Sequence, residues 1–213
     1  MTVKPDGEGA APAFYAHTSL PTLHGVFDVR VHRGPDGKEH LAVSVGEVAH
    51  AVALPVRVHS ECLTGEVLGS LKCDCKAQLD GALEFIQAQG RGLVLYLRQE
   101  GRGIGLGNKI RAYSLQEQGA DTVDANRLLG FGDDLRSYGV AAEMLRALAV
   151  ESVRLITNNP TKVDGLREAG IEVVDRIPLV IGVNQINSGY LQTKRHRMGH
   201  IIDTMDVDAG ETD

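Results

Sequence analysis

All three cysteines of the chain lie in one stretch, Arg57–Cys75. They are Cys62, Cys73 and Cys75, spaced C-x10-C-x-C. Thiolates are soft ligands that suit a borderline-soft ion such as zinc. A backbone bend at Asp74 would let the last two cysteines face one ion, and the first would reach it across a turn. Three protein ligands leave a position for water, as in catalytic zinc sites, and zinc there supplies hydroxide near neutral pH.

Two other interpretations of these cysteines have to be weighed. A free cysteine is often just a small buried apolar residue, but three within 14 positions and none elsewhere favour a metal site. A disulfide between Cys73 and Cys75 would be strained. His59, three residues before Cys62, could serve as a fourth ligand and make the zinc structural, and the sequence leaves this alternative open.

The composition is that of a soluble globular protein. Its 213 residues are 43% hydrophobic and 23% charged, and no apolar run reaches the length of a membrane span. The N-terminus lacks a secretory signal, and together with the cysteine spacing this predicts a cytoplasmic location and no membrane partner. A net charge of −6 argues against a nucleic-acid partner.

The glycine-rich stretch Gln99–Lys109 follows a predicted strand and lies in the most basic part of the chain. It matches neither the P-loop nor the G-x-G-x-x-G pattern. Its glycines would let backbone N–H groups approach a small anion, with Arg102 and Lys109 adding positive charge. A flexible turn before a helix explains the same composition equally well.

A few polar residues elsewhere could join such a site. Asp134 is spaced to pair with or orient Arg136, although most such pairs lie on the surface and contribute little to stability. Thr157 and Lys162 bracket an Asn-Asn-Pro turn after a predicted strand, which is where α/β sheets often bind ligands. Tyr113 lies on a predicted helix beside the glycine-rich stretch, and a lone aromatic residue there packs by default.

Hydrophobic periodicity predicts a mixed α/β fold, with an antiparallel β-rich first third followed by β–α alternation. Three strands at 26–33, 40–48 and 51–60 are expected to form a meander. The later predicted elements are a helix at 79–88, a strand at 92–98, helices at 110–118, 122–131 and 141–149, a strand at 152–157, a helix capped by Thr161 and stopped by Gly170, a strand at 171–179 and a helix at 187–200. We expect a loose N-terminal tail over residues 1–22, one compact domain over 23–202 and an acidic tail over 203–213.

Seven segments together resemble the GTP cyclohydrolase II family of riboflavin biosynthesis. They are HSECLTGE, SLKCDC, RQEGRGIGLGNKIRAY, DTVDANRLLGF, DDLRSYG, TNNPTK and TKRHRMGH, and they occur in the family's order between Arg57 and His200. The resemblance implies a single GTP cyclohydrolase II-like catalytic domain. One departure is Lys76, because the family's CDC motif is commonly followed by glycine; if that position needed a positive φ, lysine would be strained there.

The resemblance assigns a role to each site residue. It implies that Cys62, Cys73 and Cys75 bind one catalytic zinc per chain. It implies a proton acceptor at Asp134, a proposed nucleophile at Arg136, and a tyrosine near the reacting ring at Tyr113. The residues implied to contact GTP are Arg57, Val58, His59, Ser60, Glu61, Gln78, Glu100, Gly101, Arg102, Thr122, Thr157 and Lys162.

The implied reaction is hydrolysis of GTP, which opens the imidazole ring and releases formate and pyrophosphate. The product is 2,5-diamino-6-(5-phosphoribosylamino)pyrimidin-4(3H)-one, and Mg²⁺ accompanies the triphosphate. The resemblance also implies a homodimer. Two alternatives remain: a variant that stops at the formylamino-pyrimidine intermediate, and a nucleotide-binding protein whose zinc is structural. A nucleophilic Arg136 conflicts with the chemistry of guanidinium, which stays protonated, and a charge clamp does not.

Overall fold

The computed structural model describes residues 13–132 and 134–202, which form a single sheet flanked by helices. The strands are β1 (Ala16–Thr22), β2 (Gly25–Arg33), β3 (Glu39–Val45), β4 (Leu54–Ser60), β5 (Gly92–Leu97), β6 (Ser152–Ile156) and β7 (Glu172–Ile177). The helices are α1 (Leu63–Glu66), α2 (Cys75–Ala88), α3 (Gly105–Glu117), α4 (Thr122–Leu128), α5 (Gly139–Ala147), α6 (Pro160–Glu168) and α7 (Ser188–Met198). A 3₁₀ turn spans Glu100–Gly103.

The sheet has the strand order β1-β2-β3-β5-β4-β6-β7. The first three strands and β5 pair antiparallel, whereas β5, β4, β6 and β7 pair parallel. The mixed α/β prediction is therefore confirmed. The predicted meander is wrong for its third strand, because β5 lies between β3 and β4. Since β4 is buried along almost its whole length, it belongs in the middle of a sheet covered on both faces.

Alternate residues of β5 show how the two faces are covered. Leu93, Leu95 and Leu97 belong to the larger core, which they form with β4, β6, α5 and Leu166 of α6. Val94 faces the opposite side and packs in a smaller core with α2 and β2. Both faces of the central strands are thus apolar, which explains their nearly continuous hydrophobic sequences.

The strand β1 was not predicted, because its residues fall in the expected loose tail. It pairs with β2 in a register from Ala16 opposite Val31 to Thr22 opposite Gly25. All seven of its residues are exposed, so the strand carries no buried–exposed alternation that periodicity could detect. The expectation of loose chain is therefore wrong for residues 16–22; residues 1–12 lie outside the described part of the chain.

Capping residues set the two ends of α6, and one of them differs from the prediction. Thr161 was predicted to cap α6, but Asn159 does so, since its side chain accepts a hydrogen bond from the Thr161 backbone N–H at 3.1 Å. Proline at the next position suits the first helical turn. Gly170 ends this helix as predicted, with a φ of 78°. Lys76 lies inside α2 without a positive φ and pairs with Asp80 at 2.8 Å, so this departure strains nothing.

The parallel strands β4, β5 and β6 end at one edge of the sheet, and this edge positions the site. Cys62 follows β4, the 3₁₀ turn follows β5, and the Asn-Asn-Pro turn follows β6. The carboxyl ends of parallel strands are where ligands bind in such sheets. Within the described residues, no helix is both long enough and apolar enough to cross a bilayer.

Candidate active site

Three sulfur atoms converge at the carboxyl end of β4. Cys62 precedes α1, Cys73 lies in the following loop and Cys75 begins α2, and their Sγ atoms lie within 4.8 Å of one another. We call these residues the thiolate cluster. A Cβ at Gly65 would lie 2.9 Å from the Cys73 sulfur and 3.3 Å from the Cys62 sulfur, so glycine leaves the space that the cluster occupies. Three soft donors facing one point fit a zinc ion.

The thiolate cluster is electrostatically prepared for a cation. Hydrogen bonds from Cys73 and Cys75, supported by the ammonium of Lys109, hold the pKa of the Cys62 thiol far below its ordinary value. The Lys109 Nζ lies 3.0 Å from the Cys62 Sγ and 2.8 Å from the Glu100 carboxylate. One sulfur is therefore a thiolate at neutral pH, and a thiolate is the form that binds metal.

His59 is not placed as a fourth ligand. Its Nε2 lies 2.8 Å from the Glu66 carboxylate, which also accepts a 2.5 Å hydrogen bond from the Tyr96 hydroxyl. The rings of His59 and Tyr96 are stacked, with centroids 5.7 Å apart. Among the described residues, the group of ligand atoms contains only the three cysteines. The imidazole thus belongs to a buried network that ties α1 to β4 and β5.

The 3₁₀ turn after β5 is held by Glu100, whose carboxylate accepts hydrogen bonds from the backbone of Leu63 at 2.7 Å and of Gly101 at 2.8 Å. Gly101 and Arg102 both have left-handed backbones, with φ of 62° and 58°. A positive φ is unusual for arginine and costs conformational energy. Both terminal nitrogens of Arg102 are buried and have no hydrogen-bond partner among the described residues. Buried cationic donors without a partner could bind an anionic ligand.

Two further cations of the pocket, Arg57 and Lys162, are buried. Arg57 donates to the backbone oxygen of Ile156 at 3.0 Å, and Lys162 donates to that of Val58 at 2.7 Å. Neither forms an ion pair with a carboxylate in the described chain. Burial lowers the pKa of both side chains, and for Lys162 the neighbouring arginines add to the effect. Cations held only by carbonyl dipoles are poised to receive negative charge.

Arg136 adds a third cation, and Asp134 orients it. The Arg136 Nε donates to Asp134 Oδ1 at 2.8 Å and a terminal nitrogen donates to Oδ2 at 2.5 Å. Burial alone would lower the pKa of Arg136, but the hydrogen bonds and charge of Asp134 outweigh it and raise that pKa above its ordinary value. The same pairing holds the pKa of Asp134 below the ordinary value despite its burial.

The pocket therefore combines three cysteine sulfurs with buried cations that are held by carbonyl oxygens. A sequence model of the GTP cyclohydrolase II family matches residues 14–178. The chain belongs to the GTP cyclohydrolase II family. This confirms the family predicted from the seven segments and, with it, the expectation of a hydrolase.

Several relatives match nearly the whole chain. GTP cyclohydrolase-2 of Hahella chejuensis is 53% identical over 192 residues, which are 90% of this chain and 93% of that protein. GTP cyclohydrolase-2 of Neisseria gonorrhoeae is 51% identical over 187 residues, which are 88% of this chain and 95% of that protein. The riboflavin biosynthesis protein RibBA of Chlamydia trachomatis is 54% identical over 186 residues, which are 86% of this chain but 44% of that protein.

Most residues that the family resemblance implied for the site line this one pocket. With the thiolate cluster, they are Arg57, His59, Ser60, Glu61, Gln78, Glu100, Gly101, Arg102, Tyr113, Arg136, Thr157 and Lys162. The side chain of Val58 faces the larger core instead, and only its carbonyl is directed to Lys162. Asp134 does not line the pocket but contacts it through Arg136. Thr122 is the first residue of α4, and its side chain lies outside the described part.

Tyr113 lines the pocket beside Lys109, which contacts Cys62. A lone aromatic residue on a predicted helix gave no sign of this position. The ring centroid of Tyr113 is 5.1 Å from the Lys72 Nζ and 5.8 Å from the Lys109 Nζ. Burial raises the pKa of its phenol to about 12, so the hydroxyl keeps its proton at neutral pH. It can therefore donate a hydrogen bond to a ligand near the thiolates.

A further group of pocket residues was not predicted from the sequence. Tyr190, Lys194, Met198, His200 and Ile202 line the pocket from α7 and the segment after it. The sequence predicts a helix over 187–200 but no role for its side chains in the site. The available signal was the TKRHRMGH segment, which the family shares but to which no site residue was assigned.

Proposed function

We propose that the protein hydrolyses GTP, opens the imidazole ring of guanine and releases formate and pyrophosphate, giving 2,5-diamino-6-(5-phosphoribosylamino)pyrimidin-4(3H)-one. One observation carries the proposal: three converging cysteine sulfurs and several buried cations line the same pocket. The relatives' name, GTP cyclohydrolase-2, supports the substrate and the reaction. In this proposal the cations bind the triphosphate and the base lies beside the thiolate cluster.

We propose that Cys62, Cys73 and Cys75 hold one zinc ion, because their sulfurs converge and a Cβ at Gly65 would intrude on two of them. Such an ion, when bound by three protein ligands, supplies a water of lowered pKa for attack on an electrophilic carbon. The carbon between the two imidazole nitrogens of guanine is of that kind. Lys109 keeps Cys62 ionised, which favours metal uptake at neutral pH.

The cationic side chains position the triphosphate in this proposal. Arg57 and Lys162 are anchored by carbonyl oxygens and offer their remaining donors to phosphate oxygens. Arg102 contributes two buried nitrogens without partners in the described chain. We propose that Mg²⁺ accompanies the phosphates and lowers their charge. Arg136, oriented by Asp134, stabilises the negative charge that develops as pyrophosphate leaves.

Two residues act at the base. The amide nitrogen of Gln78 donates to the Leu179 backbone oxygen at 2.7 Å, which leaves its carbonyl oxygen free to accept a hydrogen bond from guanine. Tyr113 keeps its proton and donates to the oxygen of the reacting carbon, most usefully in the second hydrolysis that frees formate. We further propose that the protein acts as a cytoplasmic homodimer, as the family resemblance implied.

The experiment that tests the function is product analysis. Purified protein with zinc, Mg²⁺ and GTP is assayed for formate and pyrophosphate, and the nucleotide product is identified by mass spectrometry. The deformylated pyrimidine with one formate per GTP supports the proposal. Accumulation of the formylamino intermediate without formate would establish the shortened reaction instead.

The same assay separates a catalytic zinc from a structural one. Cys73→Ser is expected to lose zinc and formate release together while the fold and GTP binding remain. Full activity in a zinc-free Cys73→Ser sample would overturn the catalytic assignment. Global unfolding on zinc removal would show instead that the metal holds the fold together.

A further inference from the structure

The C-terminal helix α7 lies against the pocket and is tied to it at several points. Its side chains Tyr190, Lys194 and Met198 line the cavity. Beyond the helix, the Ile201 backbone N–H donates to the Asn158 oxygen at 2.8 Å, and Ile202 is buried against Leu191. The match to the family model ends at residue 178, before this helix begins. The residues of α7 and of the segment after it thus form part of the pocket wall.

The strongest of these contacts joins Lys194 to Asp74. The Lys194 Nζ lies 2.6 Å from the Asp74 Oδ1, and the two side chains are only 16% and 6% exposed. The residues are 120 positions apart in the sequence. A buried pair of this kind resists separation, because removing one partner leaves the other charge uncompensated.

The Asp74 side chain contacts Lys194 and does not cap its own helix. It is the N-cap residue of α2, where an aspartate side chain ordinarily accepts a hydrogen bond from the first turn of the helix. Here its side chain makes no capping hydrogen bond. Asp121, the N-cap of α4, does accept from two backbone N–H groups in the ordinary way. The carboxylate of Asp74 is therefore oriented by Lys194 of α7 and not by a hydrogen bond to its own helix.

The orientation of the Asp74 side chain affects the thiolate cluster because of where Asp74 lies in the chain. It lies between Cys73 and Cys75, so fixing its side chain restricts the two peptide units that join these ligands. Lys194 is itself held, with its Nζ 4.4 Å from the centroid of the Tyr190 ring. The helix, the ion pair and the two sulfurs form one connected unit.

We propose that Lys194 is a positioning residue for the thiolate cluster: through Asp74 it couples α7 to the metal-binding loop. Loss of the contact between α7 and the metal-binding loop should then speed release of the metal. The inference rests on the proposed function only in taking the cluster as a metal site. It assigns Lys194 no contact with the reacting atoms.

The test measures zinc release, without nucleotide, from zinc-loaded full-length protein to a chromophoric chelator. Lys194→Met is expected to release zinc about 10- to 100-fold faster, the range found when supporting residues around a metal site are changed. The matched control is Arg195→Met, which removes the adjacent cation of the same helix; Arg195 does not line the pocket. Lys194→Arg keeps the charge and is expected to restore most of the retention.

Two further measurements separate positioning from loss of folding. In the double variant Lys194→Met/Asp74→Asn neither member of the ion pair is left as an isolated charge, so the fold should survive, yet zinc release should stay as fast as in Lys194→Met. In cobalt-substituted protein, Lys194→Met should shift the visible bands that report thiolate geometry, and Arg195→Met should not.

Wild-type release rates in the double variant, or equal effects of Lys194→Met and Arg195→Met, would overturn the proposal. A wild-type protein that takes up no metal would overturn it together with the zinc assignment. Failure of the wild type to turn over GTP would count against the proposed function alone, since no nucleotide enters these measurements.

Discussion

Arg136 and Asp134 are joined by two parallel hydrogen bonds, of 2.8 and 2.5 Å, between guanidinium and carboxylate. The Arg136 backbone N–H also donates to the same carboxylate at 3.0 Å, so the two residues form a closed turn. This pairing raises the pKa of Arg136 and keeps the guanidinium protonated. A protonated guanidinium has no lone pair with which to attack phosphorus. The geometry favours a charge clamp over a nucleophile.

The first prediction follows from that relationship. Arg136→Ala is expected to slow pyrophosphate release by roughly 100- to 1000-fold, as losing one stabilising donor does. Arg136→Lys should remain partly active, because it keeps the charge but loses the fork. Arg154→Ala, which removes a partly exposed arginine of β6 that pairs with Asp175, serves as the control. A phosphoramidate trapped at Arg136 in a rapid quench and chased into product would establish the nucleophile instead.

The second prediction concerns the space beside the sulfurs. Gly65→Ala would place a methyl group 2.9 Å from the Cys73 Sγ, so a ligand must shift and zinc affinity should fall at least about tenfold. Gly107→Ala is the matched control, since a Cβ there meets nothing within 4 Å. Metal content after dialysis against a weak chelator measures the difference. Equal zinc retention in the two variants would show that the cluster tolerates the added methyl.

The third prediction distinguishes the two hydrolytic steps. Tyr113→Phe removes a hydroxyl that keeps its proton and leaves the ring beside Lys72 and Lys109. Formate release should slow more than GTP consumption, and formylated intermediate should accumulate. Parallel assays of formate and of GTP on the same samples measure both rates. If both fall by the same factor, Tyr113 only packs or orients the whole substrate.

The fourth prediction concerns acid stability. Burial, followed by the charges of Lys194 and Arg136, lowers the pKa of His200 to about 3. In the unfolded chain a histidine takes up a proton below about pH 6.5. Between these values the unfolded state binds more protons, so the free energy of unfolding falls as the pH falls. One such histidine contributes a slope of at most about 1.4 kcal/mol per pH unit.

Replacing the imidazole removes that contribution. His200→Gln is therefore expected to lose less stability than the wild type between pH 6.5 and pH 4, as measured by urea unfolding at each pH. The exposed His50 provides the control variant, His50→Gln, which removes an imidazole from the surface of the same protein. Identical curves for His200→Gln and the wild type would show that His200 titrates normally in the folded protein.

The thiolate cluster could be predicted because its signal is local. Three sulfurs within 14 positions restrict one another whatever the rest of the chain does. The contact of Lys194 with Asp74 could not be predicted, since 120 positions separate the two residues and neither carries a pattern that names its partner. Likewise, nothing in the sequence says that the imidazole of His59 is taken by Glu66 and so unavailable to a metal.

The fold was predictable where burial leaves a period in the sequence. The central strand β5 and helix α2 have apolar residues at the spacing of their type, and both were expected close to their observed positions. The exposed strand β1 has no such spacing. The order of the strands depends on how later segments pack, so a strand after α2 could enter between β3 and β4 without any local sign.

The burial of Lys162 beside two arginines affects how nucleotide binding depends on pH. Burial and the nearby Arg57 and Arg136 make its ammonium form costly in the unliganded pocket. A polyanion entering the pocket reverses that preference, because its charge compensates the cations that oppose protonation. A bound polyanion therefore raises the pKa of Lys162, and protonation of Lys162 in turn favours binding. Nucleotide affinity would then weaken as the pH rises and Lys162 loses its proton in the unliganded pocket.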